Sequence, residues 1–239
     1  MRWLKSWPKA PGLNWFRSLA NRLCCTKSRR KTSKLSCCKI GLLGGTFDPV
    51  HLTHLHMAEV ARDECQLDEV WFVPAKVPPH KQGCPITPGE TRIEMLKLAL
   101  KGIPYFKLSL VEFEREGPSY TIDTVKHLQR RYPECRFYFI IGGDMIAELP
   151  AWHKIEELVQ LVSFIGVGRP DVTRKISHPW ARYVHQVEMI PSHLSSSLIR
   201  KRRQEGKSIR FLVPEPVYEY IERHGLYHTS GKYSRNKGE

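Results

Sequence analysis

The sequence predicts an α/β fold, a Rossmann-like, doubly wound and mainly parallel sheet with helices on both faces. Apolar runs of strand length alternate with amphipathic stretches of helical period along most of the chain, the pattern of strand–helix–strand units. Nearly every polar or glycine-rich motif begins just after one of those apolar runs, where such sheets bind their ligands. The chain has 239 residues, enough to bury a core without disulfides or a structural metal.

Residues 40–43 are apolar and break into Gly44-Gly45, and a helix follows over 53–65, with Leu55, Ala58 and Ala61 recurring at helical spacing. Residues 70–74 read as a buried strand ended by Pro74. Residues 75–89 are rich in proline and glycine, a loop long enough to carry function. A helix is expected over 90–101, a strand over 106–113 and a helix over 121–131. The strand at 136–141 runs into Gly142-Gly143-Asp144. Then come a helix at 153–161, strands at 162–167 and 184–190, a strongly basic helix at 195–205 and a last helix at 214–224.

The net charge of +14 has the look of a nucleic-acid binder until it is located. Of the 38 Lys/Arg, eleven lie in residues 1–39 beside no Asp or Glu, leaving 27 against all 24 acidic residues elsewhere. Basicity therefore belongs to a tail, and the domains read as a basic tail over 1–38, a folded body over 39–228 and a flexible end over 229–239. Cys24, Cys25, Cys37 and Cys38 fall in the tail, and Cys65, Cys84 and Cys135 are scattered in the body. That distribution fits a reducing compartment, hence a cytoplasmic protein, better than a disulfide framework. No Cys/His cluster of the body has metal-ligand spacing, so no protein metal site is expected. The tail, with Trp3, Trp7, Trp15 and Phe16 among its cations, is either a disordered leader or a contact for nucleic acid or an anionic membrane surface.

The densest signal is Gly44-Gly45-Thr46-Phe47-Asp48-Pro49-Val50-His51-Leu52-Thr53-His54. Two glycines let the backbone approach a ligand, and a helix start offers amide N–H groups to phosphate. His51 and His54, three apart at that start, can reach one anionic group together. Alone, the string also reads as a turn with two solvated histidines. Ser195, Ser196 and Ser197 precede the basic helix, where hydroxyls serve either as caps or as phosphate ligands. Arg200, one turn in, has a planar fork suited to phosphate oxygens.

The whole string resembles the His-x-Gly-His nucleotidyltransferases, with Thr53 where that family has glycine. Further motifs narrow the resemblance to bacterial-type nicotinate mononucleotide adenylyltransferases. They are Pro78-Pro79-His80-Lys81, Arg92, Ser119-Tyr120-Thr121-Ile122-Asp123-Thr124, Gly142-Gly143-Asp144, Ala151-Trp152-His153-Lys154, Ser195 to Arg200, and Leu226-Tyr227 near the carboxyl end. They occur in family order over about residues 39–228.

The resemblance implies transfer of the adenylyl group of ATP to nicotinate mononucleotide, giving deamido-NAD and pyrophosphate, with Mg2+ accompanying ATP. It implies His51, His54 and Arg200 as catalytic residues. Gly44, Gly45, Thr46, Phe47, Asp144, Ser195, Ser196 and Ser197 would bind ATP. Asp48, Lys81, Arg92, Tyr120, Thr121, Asp123 and Trp152 would bind the mononucleotide. Two alternatives stay open. One is an enzyme like pantetheine-phosphate adenylyltransferase, expected to share the histidines but lack the Tyr120 and Trp152 segments. The other is a homologue weakened by Thr53, whose tail binds nucleic acid or membrane.

Overall fold

The computed structural model describes residues 38–78, 85–168 and 179–228. The two tails, apart from Cys38, and Lys81 lie outside the described residues. Six strands form one sheet, β1 (Cys38–Gly45), β2 (Glu69–Pro74), β3 (Phe106–Leu108), β4 (Cys135–Gly142), β5 (Ser163–Gly168) and β6 (Val184–Glu188). Their order is β3-β2-β1-β4-β5-β6, and every neighbouring pair is parallel. The order reverses between β1 and β4, which opens a crevice at their carboxyl ends.

Six α-helices cover the sheet: α1 (Leu52–Cys65), α2 (Gly89–Leu100), α3 (Thr121–Arg131), α4 (Ile155–Leu161), α5 (Ser196–Gln204) and α6 (Glu215–Arg223). Alternation along each strand sends neighbouring side chains to opposite faces. Leu43, Val70, Phe72 and Ile140 pack with Ala58, Leu96, Ile199 and Val217 on one face. Ile40, Leu42, Phe137 and Phe139 pack with Val125, Leu128 and Leu158 on the other. Each face is therefore sealed by helices, and the doubly wound expectation holds.

Three local expectations are corrected. The strand expected over 106–113 stops at Leu108. Val111 and Glu112 then turn inward and are buried, so the chain leaves the sheet edge to pack beneath α3. Residues Gly143–Ala151 form a 3-10 helix between the strand and helix expected at 136–141 and 153–161, where no element is expected. Finally, Cys38 and Cys135 form a disulfide, against the expectation of unpaired cysteines. Strand β1 begins one residue inside the expected tail, and its parallel register sets Cys38 opposite Cys135. The resulting Cα–Cα separation of 4.6 Å suits a disulfide.

Candidate active site

The turn after β1 is the joint of the crevice. Gly44 is exposed at its mouth while Phe47, Asp48, Pro49 and Val50 are buried. Phe47 has φ +50° and turns its ring into the core against Phe72 and edge-on to His54. Its side chain therefore supports the site from below, which leaves only its main chain to face a nucleotide. Gly45 makes that possible, since a Cβ there would stand 3.0 Å from the Phe47 ring.

His51 caps α1 and is only 4% exposed. Its ring stacks on His54 with centroids 3.7 Å apart, and its own N–H donates to His54 Nδ1 at 3.2 Å. That bond requires an unprotonated Nδ1, which leaves the His54 ring proton on Nε2. Burial lowers the His51 pKa to about 4, so the ring is neutral at pH 7. Its Nδ1 is buried against the first turn of α1, where the capping box places it by the His54 main-chain N–H. The helix start is less open than the sequence implied, because the Leu52 N–H donates to Leu212 O at 3.1 Å.

Helix α5 is bolted to the same joint. Ser196 Oγ donates to Pro49 O at 2.9 Å, and Arg200 Nη1 donates to Asp48 O at 2.7 Å. Arg200 also reaches Ser197 Oγ at 3.3 Å. Ser195 is the cap, accepting the Leu198 N–H at 3.2 Å. The two histidines, Ser196, Ser197 and Arg200 thus converge although some 150 residues separate the two segments in sequence. Thr53 Oγ1 pairs with Ser192 Oγ at 2.9 Å, a second tie between α1 and the segment leading into α5.

Arg92 and Asp48, expected to bind the mononucleotide, lie buried in the frame of the crevice. Arg92 is 2% exposed and its guanidinium donates to Thr87 O, Thr46 O and Ala75 O at 2.9, 2.8 and 2.9 Å. Through Nε and Nη1 it pins together the exits of β1 and β2 and the entry to α2. Burial lowers its pKa, partly offset by Asp48. The Asp48 carboxylate, 3% exposed, accepts from Thr87 N–H at 3.3 Å and from Tyr227 O–H at 2.7 Å.

On the other rim, Ser119 Oγ accepts the N–H groups of Lys76 and Val77 at 3.0 and 3.2 Å, fixing the exit of β2 against the Tyr120 segment. Tyr120 stacks on His153 at 4.2 Å. Thr121 opens α3, and Asp123 is exposed with its carboxylate 4.0 Å from Arg115. Trp152 stands edge-on to Phe139 and Phe164 at 5.7 and 5.9 Å, with a buried Nε1–H that has no partner. Asp144 is exposed and folds back over Gly142, where a Cβ would stand 2.6 Å from its Oδ1.

Sequence reasoning missed Glu112, His153 and Tyr227 as parts of the site. Glu112 accepts from Thr124 Oγ1 at 2.8 Å, and that hydroxyl also meets Arg115. Desolvation raises the Glu112 pKa, with Ser119 and Thr124 opposing it. The only sequence signal for this support was a lone acid inside an apolar run.

The cytidylyltransferase-like family model matches residues 42–202. A probable nicotinate-nucleotide adenylyltransferase of Geobacillus thermodenitrificans is 51% identical over 189 residues, covering 79% of this chain and 86% of the relative. One from Bacillus cereus is 48% identical, covering 80% and 99%. The chain belongs to the nicotinate-nucleotide adenylyltransferase family. Its fold is similar to that of the Plasmodium falciparum nicotinic acid mononucleotide adenylyltransferase complexed with NaAD. The TM-score is 0.67 at 22% identity, over 80% of this chain and 97% of the other.

Proposed function

We propose that the protein transfers the adenylyl group of ATP to nicotinate mononucleotide, yielding deamido-NAD and pyrophosphate in NAD biosynthesis. The observation that carries this reading is the convergence of the stacked His51–His54 pair and Arg200 on one buried turn. The names of the relatives support the acid form of the pyridine nucleotide as acceptor.

In this reading a 5′-phosphate oxygen of the mononucleotide attacks the α-phosphorus of ATP. The bond to the bridging oxygen breaks, and its electron pair leaves with pyrophosphate. The nucleophile is already an anion, so no general base is needed. What remains is alignment and neutralisation of charge on the transferring group. His54, through Nε2–H, and Arg200 supply donors, with the Ser197 hydroxyl beside them. His51 enters as a neutral ring, and a phosphate beside it would favour its protonation. Tyr120, Trp152 and His153 offer aromatic surface and an indole N–H to the pyridine ring and its carboxylate.

Mg2+ belongs to the proposal as the companion of the ATP phosphates. Among the described residues no group of three or more His, Cys, Asp or Glu could hold a metal ion. In this reading the ion is carried mainly by phosphate oxygens and water, with Asp144 the exposed carboxylate after β4. A cytoplasmic location is part of the same reading, because ATP is abundant there. No described helix is long and apolar enough to cross a membrane.

The test is pyrophosphate release by the full chain with ATP and Mg2+, offering nicotinate mononucleotide, its amide and phosphopantetheine in parallel. Release fastest with the nicotinate form is expected. Release with phosphopantetheine alone would overturn the substrate assignment. Silence with all three would favour a chain that keeps the fold without turnover, and Thr53→Gly would then be the variant to assay.

A further inference from the structure

The chain returns to the crevice after α6 through a residue the proposed reaction has not used. Tyr227 has φ +64°, in the left-handed region where a bulky residue is strained. Such conformations persist only where their surroundings over-determine them, and they cluster at functional sites. Here the phenol O–H donates to Asp48 Oδ1 at 2.7 Å, and burial beside that carboxylate pushes the Tyr227 pKa above the ordinary phenol range.

Asp48 gathers four parts of the molecule. Its main chain belongs to the turn after β1, and its Oδ2 takes the Thr87 N–H ahead of α2. Its carbonyl takes Arg200 of α5, and its Oδ1 takes the carboxyl-terminal turn. A buried carboxylate is held in place only by its hydrogen bonds. The other cation acting on it, Arg92, already donates to three carbonyls. Besides the phenol, the carboxylate has the Thr87 N–H at 3.3 Å, and the Arg200 guanidinium lies on the Asp48 carbonyl.

We propose that Tyr227 is a positioning residue of the adenylyl-transfer site, holding the Asp48 carboxylate so that the Asp48 carbonyl can aim Arg200 at the phosphates of ATP. The inference rests on the adenylyl-transfer reading above. Tyr227 touches no substrate and acts through Asp48 and Arg200. The defect it predicts is therefore specific to ATP and spares the acceptor.

Tyr227→Phe removes one oxygen and keeps the ring. With ATP and nicotinate mononucleotide, kcat should fall about tenfold and the KM for ATP rise about threefold, while the KM for the mononucleotide stays within about twofold. Val217→Ala opens a cavity in the core face of α6 without touching Asp48, and its folded fraction should keep kcat within about twofold of wild type. Calorimetric titration with inorganic pyrophosphate needs no turnover, and Tyr227→Phe should bind it about threefold more weakly than wild type. Unchanged kcat in Tyr227→Phe, equal losses in the two variants, or a KM defect shared by both substrates would overturn the proposal. A wild type silent with every acceptor would defeat the reaction assignment instead. The pyrophosphate titration would then decide alone, equal affinities overturning the role of Tyr227 and a weaker variant sustaining it.

Discussion

The two rims of the crevice are built by different physics. The rim proposed for the phosphates is braced by polar bonds, Ser196 to Pro49, Arg200 to Asp48 and Tyr227 to Asp48 over 147, 152 and 179 residues, with Arg92 on three nearer carbonyls. The rim proposed for the pyridine adds ring contacts, Trp152 against Phe139 and Phe164 and Tyr120 against His153, to the two N–H bonds that Ser119 accepts. Directional bonds to charged groups fix an atom in place, whereas apolar ring packing fixes a surface. The first suits the transfer of a phosphoryl centre and the second suits recognition of a flat ring. Substitutions should accordingly divide into losses of rate on one rim and losses of affinity on the other.

The division can be broken most directly at His54. His54→Ala removes a donor aimed at developing charge, and steady-state assays should show kcat reduced by about 100-fold or more. Arg92→Met strips the donors from three buried carbonyls. Urea denaturation should register a loss on the order of 3 kcal/mol, about one for each carbonyl. The pH dependence of stability sharpens the contrast. Folded His51 resists protonation down to about pH 4, while the unfolded ring protonates near 6.5. Stability that is fully present above pH 6.5 is therefore lost as pH falls from 6.5 toward 4, by on the order of 2–3 kcal/mol. His51→Gln should flatten that slope in denaturation curves taken across the window. On the pyridine rim, Trp152→Phe should raise the KM for the mononucleotide about threefold and leave kcat within about twofold. The smallest effect is expected from Thr53→Gly, which removes an exposed hydroxyl pair and should lower the KM for ATP about twofold. A large fall in kcat for Trp152→Phe, or a KM effect alone for His54→Ala, would erase the distinction between the rims.

Much of this was legible in the sequence because its signals are local. Alternating strands and helices gave the doubly wound sheet, and Gly44 to His54 marked the end of its first strand. What sequence could not supply was which polar group would be surrounded by which partner. Arg92 looks like a ligand in one dimension, and only folding shows Thr46, Ala75 and Thr87 carbonyls closing around its fork. Phe47 carries no sign that its ring turns inward, since that depends on a positive φ and on the space Gly45 leaves. The short β3 was misjudged because Val111 and Glu112 continue an apolar run while serving the other face of the protein. The Cys38–Cys135 bond follows from a register between strands 97 residues apart, which spacing alone does not reveal.

The bond between Tyr227 and Asp48 spans 179 residues, and synthesis runs in one direction. When the ribosome has made the glycine turn and the two histidines, the phenol that bonds Asp48 is still untranslated. Contacts of such separation form late, and domains assemble from the amino-terminal side during translation. A nascent polypeptide that stalls before Tyr227 would display the whole histidine motif and lack its brace.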